Sequence, residues 1–148
     1  MSFPYKRILC PVDLDEFSTQ ALKEAGALAL SSGATLYVFH AILVNPLTSE
    51  GAIGGLGAQE FYDSQLQLAQ KQIAPMISGL PKELTCHVIV EVGDAASLII
   101  KQTTAIGADL VVMATHGRRG LKHLVLGSVA EKIVRESPVP VLTVRPSA

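Results

Sequence analysis

The residues best able to do chemistry lie in one stretch, from Met113 to Ser128. Gly117 and Gly120 let backbone turn sharply and approach an anion with no Cβ in the way. Gly127-Ser128 opens a helix, whose unpaired amides and dipole attract negative charge, and Ser128 adds a hydroxyl. Arg118, Arg119, Lys122 and His123 supply a small basic cluster. These are the parts of a di- or triphosphate site, although each part also occurs in ordinary turns and solvated loops. The stretch is not a Walker loop, because no Gly-Lys-Ser/Thr run occurs in the chain. A Rossmann fingerprint is missing too: the turn after the first strand reads Pro11-Val12-Asp13-Leu14-Asp15, without glycine.

Asp13, Asp15 and Glu16 form an acidic group at that first turn. They suit either support of Mg²⁺ beside phosphates, which takes few protein ligands and several waters, or the start of the following helix. His116 has no nucleophile or carboxylate near it in sequence and reads as a loop histidine. His40, at the end of the second strand, suits packing or a backbone hydrogen bond better than catalysis. Phosphoryl transfer needs a positioned water and a charge clamp. No dependable base is present and Arg118 is the one candidate clamp, so at most slow hydrolysis is expected.

These residues must be positioned by short apolar runs alternating with longer helical patterns. The runs are Arg7–Val12, Thr35–Ala41, Cys86–Val90, Asp109–Met113 and Val139–Val144. The first, second and fourth are nearly continuous, as expected of strands covered on both faces. Between them, Ser18–Ser32 places Ala21, Leu22, Ala25, Leu28 and Ala29 on one side. Glu60–Ile77 carries Phe61, Leu68, Ile73 and Ile77, with Pro75 expected to kink or end it. Asp94 reads as the cap of a helix holding Ala96, Ile99, Ile100 and Ile106. Ser128-Val129-Ala130-Glu131 has the form of a capping box, and Pro138 stops the last pattern. Strands and helices alternating in this way predict an α/β fold, an open five-stranded parallel sheet with helices on both faces. One reversal of strand order then leaves a crevice at the strands' carboxyl ends. The Gly-containing segment Val44–Gln59 reads as a solvent-exposed connection, with a lid over the crevice as the alternative.

Composition narrows the function. At 148 residues the chain is expected to form a single domain spanning 1–148. Apolar residues make up 49% and charged ones 17%, which excludes a disordered protein. Twelve Lys and Arg against 13 Asp and Glu give a net charge of -1, which argues against nucleic acid as a partner. All seven aromatics lie in the first 62 residues, so the second half has no ring to stack on a base. Mean hydropathy is +0.38. Even so, no run approaches the ~20 apolar residues of a membrane span, so no membrane association is expected. The first seven residues lack the apolar core of a signal peptide, so a cytoplasmic location is expected. Cys10 and Cys86 show no metal spacing and read as buried, reduced thiols.

At the Met113–Ser128 stretch the sequence resembles the universal stress protein family. The nucleotide-binding branch of that family carries Gly-x2-Gly-x9-Gly-Ser/Thr. Here Ala114-x2-Gly117-x9-Gly127-Ser128 keeps the spacing, with Ala in place of the first Gly. The early Pro11-Val12-Asp13, the His40-Ala41 strand end and the closing segment from Pro138 to Arg145 extend the resemblance over the whole chain. It implies a Rossmann-like sheet of order 3-2-1-4-5 and an ATP-binding regulatory protein, with or without Mg²⁺. The nucleotide would lie between the ends of strands one and four. Asp13 would sit beside the adenosine, with Pro11 and Val12 lining the pocket and the backbone of Ala41 recognising adenine. Met113 and Ala114 would run along the ribose, while Gly117, Gly127, Ser128 and Val129 hold phosphates, assisted by Gly120 and Arg118. The Ala114 methyl is expected to weaken binding rather than abolish it. The family's other branch offers the alternative, a nucleotide-free dimeric interaction module. The resemblance also implies a homodimer through Val139–Val144, consistent with a short apolar strand at a sheet edge.

Overall fold

The computed structural model describes residues 3–43, 56–116 and 126–145. Five strands, β1 (Arg7–Pro11), β2 (Thr35–Ile42), β3 (Cys86–Val92), β4 (Leu110–Ala114) and β5 (Val141–Val144), form one sheet. All neighbours are parallel, in the order β3-β2-β1-β4-β5. The described helices are α1 (Glu16–Ser32), α2 (Leu56–Ser78), α3 (Ala95–Ala105) and α4 (Ser128–Glu136).

Side chains alternate across the sheet, and both faces are covered. Ile8, Cys10, Leu36, Val38, Leu110 and Val112 pack against Leu22, Ala25 and Ala29 of α1 and Ile73 of α2. Leu9, Phe39, Val111 and Met113 pack against Ala96 and Ile99 of α3 and Ala130 and Ile133 of α4. Double coverage explains why β1 and β4 read as unbroken apolar runs. β3 and β5 are the edges, where Val88 and Leu142 are exposed.

Local chemistry sets the helix ends. The Asp15 carboxylate accepts the Ser18 N–H at 2.8 Å and caps α1, with Glu16 in the first turn beside it. Gly33 ends α1 at φ 69°, a left-handed conformation that glycine adopts without strain. Asp94 caps α3 by accepting the Ser97 N–H at 3.0 Å, as its position predicts.

Two expectations about boundaries need correction, and a third narrows. Of the two outcomes expected at Pro75, a kink or an end, the helix does not end there, because α2 continues to Ser78. Ile73, Met76 and Ile77 all pack on the core and hold that last turn in place. β5 begins at Val141 rather than Val139. Val139 exchanges hydrogen bonds with the Ser137 hydroxyl in a turn, and the Pro140 carbonyl accepts from Val111 at 3.0 Å. The cap of α4 is Gly127, not Ser128. Of the segment 44–59, residues 56–59 are already helical, and the lid-or-connection question for 44–55 lies outside the described residues.

Cys10 is buried and Cys86 half-buried, and burial raises the thiol pKa of both. A raised pKa leaves little thiolate, so neither sulfur is poised for nucleophilic chemistry.

The Asp94 cap yields a pH prediction. The Ser97 backbone N–H, followed by its hydroxyl, holds the Asp94 carboxyl below its ordinary value. The folded state thus favours the carboxylate. Its contribution is present above the unfolded pKa of about 4 and is lost as pH falls through the lower folded value. Asparagine caps nearly as well but does not titrate. Thermal melts of wild type and Asp94→Asn should therefore differ most near neutral pH, and the gap should close below about pH 4.

Candidate functional site

β1 and β4 are neighbours, but the chain leaves them on opposite sides of the sheet: α1 covers one face and α4 the other. This is the reversal that opens a crevice at the carboxyl ends of an α/β sheet. A cavity of about 610 Å³ lies there, within the range of small-molecule and cofactor sites. Pro11, Val12 and Asp13 come from the end of β1, Phe39 and Ala41 from β2, and Met113 and Ala114 from β4. Ala95 and Ile99 of α3 and Gly127, Ser128, Val129 and Ala130 at the start of α4 complete the wall with Ser18, Thr115 and His116.

The cavity has two chemically distinct ends. One is aliphatic and aromatic, suited to a flat apolar body held by contact rather than charge. The other presents the start of α4. The first intrahelical bond there runs from the Glu131 N–H to the Gly127 carbonyl at 2.8 Å. The amides of Ser128, Val129 and Ala130 therefore have no intrahelical acceptor, and the helix dipole adds to their attraction for an anion.

The structure alters the roles within this group. The Gly127 N–H is already given to the Thr115 carbonyl at 2.8 Å. That bond ties the two ends of segment 116–126 together and leaves Gly127 as a spacer rather than a donor. Residue 128 is the first helical residue, so Gly127 and not Ser128 holds the cap position. Glu131, expected to close the capping box, instead pairs with Arg135 at 3.2 Å. The Ser128 hydroxyl is thus not spent on the helix end. Gly117, Arg118 and Gly120, with Arg119, Lys122 and His123, lie outside the described residues.

On the opposite wall the turn after β1 is held by side chains. The Val12 N–H donates to the Phe39 carbonyl at 2.8 Å, and His40 Nδ1 donates to the Val12 carbonyl at 2.8 Å. The Asp13 N–H donates to Ser18 Oγ at 2.7 Å. Leu14 then turns the chain at φ 59°, a left-handed conformation that costs a branched residue about 1–3 kcal/mol. Asp13 is exposed at the cavity, whereas Asp15 is committed to the α1 cap. Among the described residues, no three His, Cys, Asp or Glu side chains converge as a cation site, so Asp13, Asp15 and Glu16 do not form one alone. Beyond β4, the Thr115 N–H donates to the Val144 carbonyl at 3.1 Å, and Thr115 Oγ1 lies 2.9 Å from His116 Nδ1. His116 Nε2 is buried and has no hydrogen-bond partner among the described residues.

Pro11, Val12, Asp13, Ala41, Met113, Ala114, Gly127, Ser128 and Val129, singled out from sequence, all line this one cavity. Sequence reasoning did not single out Ser18, Phe39, Ala95, Ile99, Thr115 or Ala130. Ala95 and Ile99 carried a usable signal, since the Asp94 cap already announced a helix opening at the strand ends. The Ala114 methyl is buried in the wall, and the cavity remains open beside it.

A model of the universal stress protein family matches residues 4–145. The chain is 37% identical over 143 residues to universal stress protein A homolog 2 of Coxiella burnetii, spanning 95% of each chain. Among solved structures it resembles protein MJ0577 of Methanocaldococcus jannaschii, with TM-score 0.76 and 27% identity over 97% of this chain and 98% of that one. A universal stress protein in complex with cAMP shares the fold at TM-score 0.62 and 22% identity, covering 95% of this chain and 96% of the other. With strand order, crevice and nearly the full length in agreement, the chain belongs to the universal stress protein family.

Proposed function

We propose that this chain is a single-domain, ATP-binding regulatory protein whose occupancy alters a dimer or partner surface. The observation that carries the reading is the cavity at the β1 and β4 ends, with apolar strand-end side chains in its lining and helix amides that have no intrahelical acceptor at the start of α4. The aliphatic wall suits an adenine ring, with the Ala41 backbone at the strand end to read its edge. The Ser128, Val129 and Ala130 amides and the Ser128 hydroxyl suit phosphate oxygens. Met113 and Ala114 at the end of β4 and Asp13 in the turn after β1 also line the cavity, and the ribose would run along Met113 and Ala114 with Asp13 beside the adenosine. Gly117, Gly120 and Arg118 would add to the phosphate end. Mg²⁺, when bound with the phosphates, would neutralise their charge; Asp13 is the carboxylate placed to approach it. The solved relative in complex with cAMP supports an adenine nucleotide as the ligand class.

The nucleotide-free interaction module remains the second reading, and Ala114 favours it, since it puts a methyl group where the nucleotide-binding pattern has glycine. In either reading the proposed partner is a second copy. β5 is an edge strand that pairs on one side only among the described strands, with an exposed Leu142, and pairing like with like removes the liability of an open edge. The interface would run along Val139–Val144, its strand portion being Val141–Val144. Among the described residues no helix is long and apolar enough to cross a membrane. We place the protein in the cytoplasm.

A ligand that binds only the folded state stabilises it by about 2.7 kcal/mol at a hundredfold excess over Kd. Millimolar ATP should therefore raise the melting temperature, and a flat response would move the assignment to the nucleotide-free module. Ala114→Gly should tighten ATP several-fold in titration calorimetry, whereas Ala114→Val should lose detectable binding; equal affinities would remove Ala114 from the site. Val141→Asp should convert a dimer to monomer on a sizing column, and an unchanged elution volume would rule out β5 as the interface.

A further inference from the structure

His40 and Ser18 grip opposite ends of a single peptide unit. The carbonyl of Val12 accepts from His40 Nδ1 at 2.8 Å, and the N–H of the same peptide, on Asp13, donates to Ser18 Oγ at 2.7 Å. A carbonyl can only accept, so His40 carries its proton on Nδ1. Both gripping residues are nearly inaccessible, Ser18 at 3% and His40 at 9% relative exposure.

Neither residue is what packing alone would select. His40 follows Leu36 and Val38 on the β2 face turned towards α1 and α2, where an aliphatic side chain would bury without needing a partner. Ser18 lies in the first turn of α1, yet its hydroxyl accepts an amide from outside the helix. Its own N–H is held by the Asp15 cap at 2.8 Å, so the hydroxyl stands on a fixed base. The peptide plane before Asp13 is therefore set from β2 and from α1 together. The next residue, Leu14, holds the left-handed turn that this plane leads into. Asp13 is the residue between the gripped peptide and the strained turn, and it lines the cavity.

We propose that His40 and Ser18 are positioning residues of the nucleotide site, acting through the Val12–Asp13 peptide to fix how Asp13 meets the ligand. This rests on the nucleotide reading above. Neither side chain need touch the nucleotide; the effect passes through one rigid plane. Removing one grip lets the Asp13 contact misalign, and a loss of about tenfold in ATP affinity is expected, the scale of one hydrogen bond to a charged group.

The test is a double-mutant cycle read by ATP titration calorimetry, with melting temperature of the ligand-free protein measured alongside. His40→Leu should weaken ATP about tenfold. His40→Asn, whose amide nitrogen stands near the position of Nδ1, should stay within about threefold of wild type. In an Asp13→Ala background, His40→Leu should cost less than about twofold further, because the group it positions is gone. Additive losses in the cycle, or equal losses for His40→Leu and His40→Asn, would overturn the proposal. Should His40→Leu fail to fold, Ser18→Ala releases the other end of the same peptide, and the same non-additivity with Asp13→Ala is expected. Wild-type protein that binds no ATP would end the nucleotide reading and this inference with it. Wild-type binding with an additive cycle would end this inference alone.

Discussion

The site exists because the chain leaves two adjacent strands in opposite directions. β1 feeds α1 on one face and β4 feeds α4 on the other, so among the described residues no helix closes over the gap between their carboxyl ends. Everything lining the cavity follows from keeping those two ends apart yet fixed. On the β1 side, the Val12 peptide groups are held by Phe39, His40 and Ser18. On the β4 side, Thr115 is held by Val144 and in turn holds Gly127, which places the start of α4 against the cavity. Hydrogen bonds that in a simple sheet would only extend a ladder are used here to aim two loops at each other.

The two walls then divide the chemistry. The strand ends supply aliphatic and aromatic surface, which attracts a ligand without regard to charge. The α4 terminus supplies oriented amides, which attract an anion and need no reorganisation to do so. Both kinds of surface line one cavity of about 610 Å³. Each end also has a counterpart in the core: Phe39, Met113, Ile99 and Ala130 belong at once to the cavity lining and to the hydrophobic cluster on that face. Substitutions there would change stability and binding together, which is why Asp13, His40 and Ala114 are the more informative positions.

Much of this was legible in the residue order. Continuous apolar runs at Arg7–Val12 and Asp109–Met113 announced buried parallel strands, and both are fully covered but for Arg7 and the flanking Asp109. Asp94 announced the start of α3, because an acidic side chain followed by an Ala-rich apolar pattern has one common use. The failures have a shared cause. Ser128 with Glu131 satisfied a local capping rule, but Gly127 became the cap once its amide was claimed by Thr115, twelve residues earlier. Pro75 by local rule left a kink or an end open, and Ile73, Met76 and Ile77 found a core to bury in and carried the helix past it. Val139 satisfied the pattern of a strand, but Ser137 took up its backbone groups instead. In each case a non-local or neighbouring hydrogen bond, or burial, outweighed a local preference, about 1 kcal/mol for a cap and about 3 kcal/mol for a proline inside a helix.

From its sequence alone this protein's class of fold and its run of alternating elements were determined, and residues that line the cavity at Pro11–Asp13, Met113–Ala114 and Gly127–Val129 were singled out, because hydrophobic period and glycine placement are local properties of the chain. Which amides remained available, and which residues held Asp13 in place, were decided only by tertiary structure. A backbone donor or a buried histidine finds its partner through space, and Val12 and His40, 28 positions apart, become neighbours only once β1 and β2 have paired.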